Sequence, residues 1–255
     1  MKGKNRVFAI VTHHDDALLR AGVTIKKFTD AGVEVSIVVL TSGASILPNG
    51  NESGVQAKDV LDLWNEDADL QAFMARRGFA NMPTEKKDVT LEMKYAVREY
   101  EEINANKQLG VPEENVVFLH LGSGGREDSD QQDLRNGFQR NLNLLKEKTS
   151  GDERVPIFVV ADTSVDLHIA HRTTEEAGHV IQQFVSETGK QAEVWSGMRS
   201  PTAAENTTWV LASQEDIEYK RETFEKSYPS QSRRQGRAMA EQAARGEAPT
   251  PTSWD

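Results

Sequence analysis

Apolar and polar positions along the first 41 residues switch between two periods. Arg6–Thr12 contains the continuous apolar run Val7-Phe8-Ala9-Ile10-Val11, the length of one strand. From Ala17 to Ala31 the spacing becomes helical, with Leu18, Ala21, Gly22, Ile25 and Phe28 on one face. Gly32 follows where a helix stop is expected, and Val33–Leu40 is a second apolar strand. Apolar runs that do not alternate, joined by a helix, predict a parallel sheet covered on both faces.

Further along, the pattern weakens and then returns. Ser42–Gly54 is rich in Gly, Ser and Asn and reads as a loop, and 57–78 holds one or two short helices. Leu91–Leu109 is helical, with Met93, Val97, Tyr100 and Ile103 on one face and Gly110 and Pro112 ending it. Val116–Leu121 and Pro156–Ala161 are the third and fourth strands, separated by the Gly122–Asp128 loop and a helix over about 131–148. Ala177, Val180, Ile181, Phe184 and Val185 mark another amphipathic helix. Ala192–Trp195 and Thr207–Leu211 are short strand candidates, and Ser213 with Asp216 forms a capping-box start for a late helix. The expected fold is α/β, a Rossmann-like three-layer αβα arrangement with a mostly parallel sheet. One catalytic domain over 1–231 is expected, with 44–90 as a pocket-shaping insertion and 232–255 as a polar tail.

Composition narrows the function classes. The chain has 255 residues, 30 basic against 40 acidic, for a net charge of -10. That balance disfavours a nucleic-acid backbone as partner. Cysteine is absent, which removes thiolate metal sites, disulfides and cysteine nucleophiles. No stretch approaches the roughly 20 apolar residues of a membrane span. The reading is a cytoplasmic protein acting on a small molecule, compatible with a homo-oligomer.

Ionisable residues collect at two places. Thr12-His13-His14-Asp15-Asp16 follows the first strand, and Asp166, His168 and His171 follow the fourth. In a parallel sheet these loops share the carboxyl end, where α/β ligand sites lie. His13, Asp16 and His171 would make a two-histidine, one-carboxylate set suited to a catalytic zinc with one position open for water. Fe2+ or another divalent ion is compatible with the same donors. Asp15 is then placed to act as general base. His168 could face the oxygen of a tetrahedral intermediate. Together these groups describe metal-assisted amide hydrolysis. The plainer alternatives are that the aspartates only cap a helix, that His120 is a polar loop residue, and that His179 sits on a helix surface. By periodicity alone Arg98 is a helix-surface charge and Asp128 a cap for the next helix.

The motifs resemble the LmbE/PIG-L family of zinc-dependent N-deacetylases. Its His-Pro-Asp-Asp motif is matched by His13-His14-Asp15-Asp16, and its Gly-Gly-Thr-Ile by Gly22-Val23-Thr24-Ile25. Val38-Val39-Leu40-Thr41-Ser42-Gly43, the Arg98/Glu101/Leu109/Gly110 spacing, His168-Ile169-Ala170-His171, Lys220 and Ser230-Gln231 extend the likeness over residues 6–231. The resemblance implies zinc ligation by His13, Asp16 and His171, Asp15 as base, His168 as oxyanion partner, and substrate contacts from Arg98 and Asp128. The implied substrate is an N-acetylated amino sugar or a related amide. The chain departs from the family pattern at His14 (Pro), Ala17 (Glu) and Ala170 (Asp). These changes bear on the pocket wall and the substrate more than on the ligand set. His14 either adds a substrate contact or points to solvent, the latter being the preferred expectation.

Overall fold

In the computed structural model, the described residues are 6–41, 45–46, 52–53, 55–81, 83–121, 136, 154–160, 180, 182–183, 185–187, 191–196 and 212–231. Strands β1 (Arg6–Val11), β2 (Glu34–Thr41), β5 (Val116–Leu121), β6 (Arg154–Val160) and β7 (Gln191–Ser196) form one sheet in the order β5-β2-β1-β6-β7. Every pairing in it is parallel. The chain winds outward from β1 in one direction through β2 and β5, then returns to its other side for β6 and β7. This is a doubly wound order, and it reverses between β1 and β6. Strands β3 (Ser45–Ile46) and β4 (Glu52–Ser53) make a separate antiparallel ribbon inside the stretch expected as loop.

Two-residue alternation along the central strands explains why they read as continuous apolar runs. Val7, Ala9 and Val11 of β1 join Val35, Ile37 and Val39 of β2 in the main core cluster, packed with residues of the helices. Phe8, Ile10, Val38 and Leu40 point the other way and are buried as well. Both faces of β1 and β2 are therefore dry, as the centre of a parallel sheet requires. Arg6 and Glu34 lie opposite each other in register and form an ion pair at 3.1 Å where β1 and β2 begin.

Helix α1 (Asp16–Asp30) ends in Gly32 with φ 77, and the Val33 amide bonds back to the Phe28 carbonyl at 2.9 Å. Helices α2 (Ala57–Glu66) and α3 (Ala68–Arg76) resolve the weak pattern of 57–78 into two elements. Val60, Leu63, Leu70, Phe73 and Met74 on them belong to the main core. Helix α4 (Leu91–Gln108) follows, and α5 (Gln214–Ser227) starts at the Ser213/Asp216 capping box expected from the sequence. Helices α1, α4 and α5 pack on one another. At their C-terminal ends α1 and α4 meet closely. The Thr29 hydroxyl donates to the Leu109 carbonyl at 2.6 Å, and a Cβ at Gly110 (φ 84) would lie 2.9 Å from that hydroxyl oxygen.

Helix α4 differs from its sequence reading. Its apolar stripe is present, but Lys94, Arg98, Glu99, Glu101, Glu102 and Asn106 are buried too. Arg98, a surface charge by periodicity, is covered because α5 and the segment after it close over that side of α4. The strand candidate 207–211 and the helix over 131–148, apart from helical Asn136, lie outside the described residues. Among the described residues no helix is long and apolar enough to cross a membrane.

Candidate metal centre

Strand order reverses between β1 and β6, the place where sheets of this kind hold their ligands, and the residues that emerge beyond the carboxyl end of β1 include His13 to Asp16. Their ligand atoms cluster: one nitrogen of His13 and one oxygen each of Asp15 and Asp16 lie within 4.8 Å of one another. His13 Nδ1 is 3.1 Å from Asp16 Oδ2. Two donors on one tetrahedral zinc, with bonds of about 2.0–2.1 Å, sit about 3.3 Å apart, so this pair fits a shared divalent ion. Imidazole and carboxylate are also the donor types that zinc or ferrous iron accepts.

The loop is stiffened by its own bonds. The His13 amide donates to Asp16 Oδ2 at 2.9 Å, and Arg20, one turn along α1, donates to Asp16 Oδ1 at 2.7 Å. Arg20 thus occupies one carboxylate oxygen and leaves Oδ2 turned toward His13. The Thr41 hydroxyl donates to the Thr12 carbonyl at 2.9 Å, tying the ends of β1 and β2 together.

Asp15 stands at the N-cap position of α1, but its side chain makes no capping bond. The simple capping explanation therefore does not account for its carboxylate. That carboxylate instead faces Arg98 Nη2 at 3.4 Å and keeps 16% of its side-chain surface exposed. His13 keeps a similar 16%. These two groups keep partial exposure while Arg98 is sealed behind them.

Arg98 Nη1 also pairs with Glu101 Oε2 at 3.1 Å, and its guanidinium lies 5.6 Å from the centre of the Tyr228 ring. Burial works against the Arg98 charge, but Asp15 and Glu101 outweigh it and raise its pKa. Burial raises the Glu101 pKa above its usual value, although Arg98 and Ser230 pull against it. The Ser230 amide and hydroxyl both donate to Glu101 at 2.7 Å. Three donors converge on this carboxylate, so the ionised form satisfies the site.

Glu102, the next residue, is shifted in the same direction. Burial pushes its pKa up to about 8. Asn106 donates to its Oε1 at 2.7 Å, and its Oε2 lies 2.5 Å from the Tyr228 hydroxyl. That hydroxyl also donates to the His14 carbonyl at 2.7 Å. A phenol has one proton, and a peptide carbonyl can only accept. A protonated Glu102 donating to the Tyr228 oxygen satisfies all three groups. The Tyr228 phenol is itself held well above its usual pKa, first by burial and then by Glu102.

His14 does not point to solvent as expected. Its ring is fully buried and stacks on Phe118 of β5 at 5.1 Å, 13° from parallel. Among the described residues neither ring nitrogen has a hydrogen-bond partner. Burial, then the Arg98 charge, lowers its pKa well below the usual histidine value, so it is neutral. His120, expected as a polar loop residue, is the penultimate residue of β5. It has φ 49, and its Nε2 is 3.1 Å from Glu99 Oε1.

Of the residues singled out from sequence, the structure brings His13, Asp15, Asp16 and Arg98 together. His168, His171 and Asp128 lie outside the described residues, as does His179. Sequence reading missed Tyr228 and Glu102. The only signal was position, since Tyr228 stands two residues before the Ser230-Gln231 pair.

The model of the PIG-L family, described as GlcNAc-PI de-N-acetylase, matches residues 8–181. The chain belongs to this deacetylase family. A search of the curated proteins gives no match. Among solved structures, a deacetylase triple mutant from the teicoplanin biosynthetic pathway superposes with a TM-score of 0.55 at 16% identity, covering 96% of this chain and 95% of that one. The zinc-inhibited form of the teicoplanin deacetylase Orf2 gives 0.51 at 16% identity, over 98% and 99%. The N,N'-diacetylchitobiose deacetylase from Pyrococcus horikoshii gives 0.51 at 16% identity, over 93% and 76%. At this identity the likeness speaks for a common fold.

Proposed function

We propose that this family member hydrolyses the amide of an N-acylated small molecule, first of all an N-acetylated amino sugar or its conjugate. The observation that carries the reading is the convergence of His13, Asp15 and Asp16 donor atoms within 4.8 Å at the point where strand order reverses. His13 and Asp16 hold a divalent metal, zinc or a substitute such as Fe2+, with His171 as the third ligand. The deacetylase names of the family and of the structures with this fold support the reaction class, and the zinc-inhibited relative supports a metal-responsive site.

When bound, the metal would acidify water and polarise the amide carbonyl. Asp15, part-exposed and not engaged in capping, accepts the proton of the attacking water and passes it to the leaving amine. Arg98, sealed behind Asp15, sets that carboxylate and lends it positive charge from its buried side. His168 donates to the developing oxyanion, and Asp128 contacts the substrate. Residues 1–231 act as one catalytic domain, with the region 44–90 bounding the pocket.

A non-sugar N-acyl substrate is the second reading. It is favoured by the buried His14 ring, which stands where the family pattern has proline and stacks on Phe118. A nucleotide-binding role is disfavoured, because two carboxylates within 4.8 Å of one another would repel a pyrophosphate. The test is release of free amine from N-acetylglucosamine, N,N'-diacetylchitobiose and an N-acyl amino acid, with and without a chelator. Chelator-sensitive release from one of these supports the proposal. Absence of release from all three, or release indifferent to the chelator, contradicts it.

A further inference from the structure

We propose that Tyr228 is a positioning residue for Asp15, and that the segment 228–231 is the tie holding the metal loop in register; this rests on the hydrolytic reading above. Tyr228 reaches Asp15 in two ways. Its hydroxyl donates to the His14 carbonyl at 2.7 Å. That oxygen belongs to the planar peptide joining His14 to Asp15, so the bond fixes the backbone orientation from which the Asp15 side chain departs. Its ring lies 5.6 Å from the Arg98 guanidinium, and Arg98 pairs with the Asp15 carboxylate. One side chain therefore supports Asp15 through both backbone and side chain.

The rest of the segment reinforces the same contact. Ser230 donates twice to Glu101, and Glu101 holds Arg98 from the side away from Asp15. Glu102, packed beside Glu101 on α4, closes the remaining valence of the Tyr228 oxygen. None of these residues is exposed, and Tyr228 has no open surface. Its bond to His14 spans 214 positions of sequence. A ring needed only for packing would not require its hydroxyl at this carbonyl, because Phe224 already stacks on it at 5.1 Å.

The variant Tyr228→Phe keeps the ring and both ring contacts and removes only the hydroxyl. Outer groups that orient metal-site residues typically change affinity or activity about 10–100-fold when lost. The expected result is a kcat about tenfold or more below wild type on the panel amide that is cleaved fastest, with KM within about threefold. Zinc titrated into the chelator-stripped protein should bind several-fold more weakly, since His13 and Asp16 flank the held peptide. Tyr219→Phe is the control: it removes a hydroxyl on α5, the helix that leads to Tyr228, which donates to the Gln108 carbonyl away from the site, and it should match wild type in kcat and zinc affinity. If Tyr228→Phe does not fold, Ser230→Ala is read in the same assays, with a smaller fall in kcat and unchanged KM expected. Wild-type kcat and zinc affinity in a folded Tyr228→Phe, or a lowered melting temperature alone, overturns the proposal and leaves the hydrolytic reading standing. A wild-type protein that neither binds zinc nor releases amine overturns both.

Discussion

Arg98→Met removes the one charge that two carboxylates share behind the metal loop. The Arg98 side chain is 3% exposed and that of Glu101 is fully buried, so solvent cannot replace the lost partner at Glu101. Breaking a buried ion pair by deleting one member costs about 3–5 kcal/mol, because the other charge is stranded. That is a large part of a typical total stability of about 5–15 kcal/mol. For a chain of this size it corresponds to a melting temperature lower by roughly 6–20 °C. Asp15 loses a partner too, but it remains part-exposed and can be hydrated. The stranded group is therefore Glu101, and Glu101→Gln in the Arg98→Met background should restore part of the loss. The amide oxygen there still accepts one of the two Ser230 bonds, its NH2 can donate to the Ser230 hydroxyl oxygen, and the charge is gone. Urea unfolding of wild type, both single variants and the double variant gives the coupling energy, which should exceed about 1 kcal/mol. A surface charge would cost about 0.5 kcal/mol or less. If Arg98→Met falls in that range, or if Glu101→Gln gives no rescue, the buried placement of Arg98 is wrong.

Glu102→Gln should flatten the alkaline loss of stability. The folded pKa of Glu102 is raised to about 8 from an ordinary 4.5. The folded state therefore keeps a proton that the unfolded state releases between those values, and stability falls as pH rises through this window, by at most about 1.4 kcal/mol per pH unit. Urea midpoints at pH 5 and pH 8.5 should diverge in wild type more than in the variant; equal divergence would refute a neutral Glu102. His14→Phe replaces two ring nitrogens, unpartnered among the described residues, by carbon while keeping the stack on Phe118, so calorimetry should show stability unchanged or raised by about 1 kcal/mol or more. A loss above about 2 kcal/mol would mean that those nitrogens are bonded. Asp15→Ala should lower kcat by about 10²–10⁴-fold with bound metal retained; metal loss would instead make Asp15 a ligand.

The sequence was informative where one face of an element decides its character. Strands β1 and β2 are buried on both sides, so their apolar runs announced a parallel sheet, and the histidine–aspartate run after β1 could be placed at its carboxyl end before any coordinates. The Ser213/Asp216 box marked α5 because its signal is local. At Arg98 periodicity alone offers only a surface charge, for the converse reason. Periodicity identifies an apolar stripe, but it cannot show that a second layer, here Tyr228 and Ser230 from more than a hundred residues away, covers the charged side. His14 was misjudged on the same ground, since its cover is Phe118, a strand that arrives a hundred positions later. The roles of His168, His171 and Asp128 stay with the sequence, as they lie outside the described residues.

Metal stoichiometry is the most direct test of the account. Purified wild-type protein, stripped with chelator and titrated with zinc by calorimetry, should bind one ion per chain, and both His13→Ala and His171→Ala should abolish that binding while remaining folded. Wild-type protein that takes up no zinc, or a His13→Ala variant that binds it as tightly as wild type, would contradict a metal centre at the end of β1.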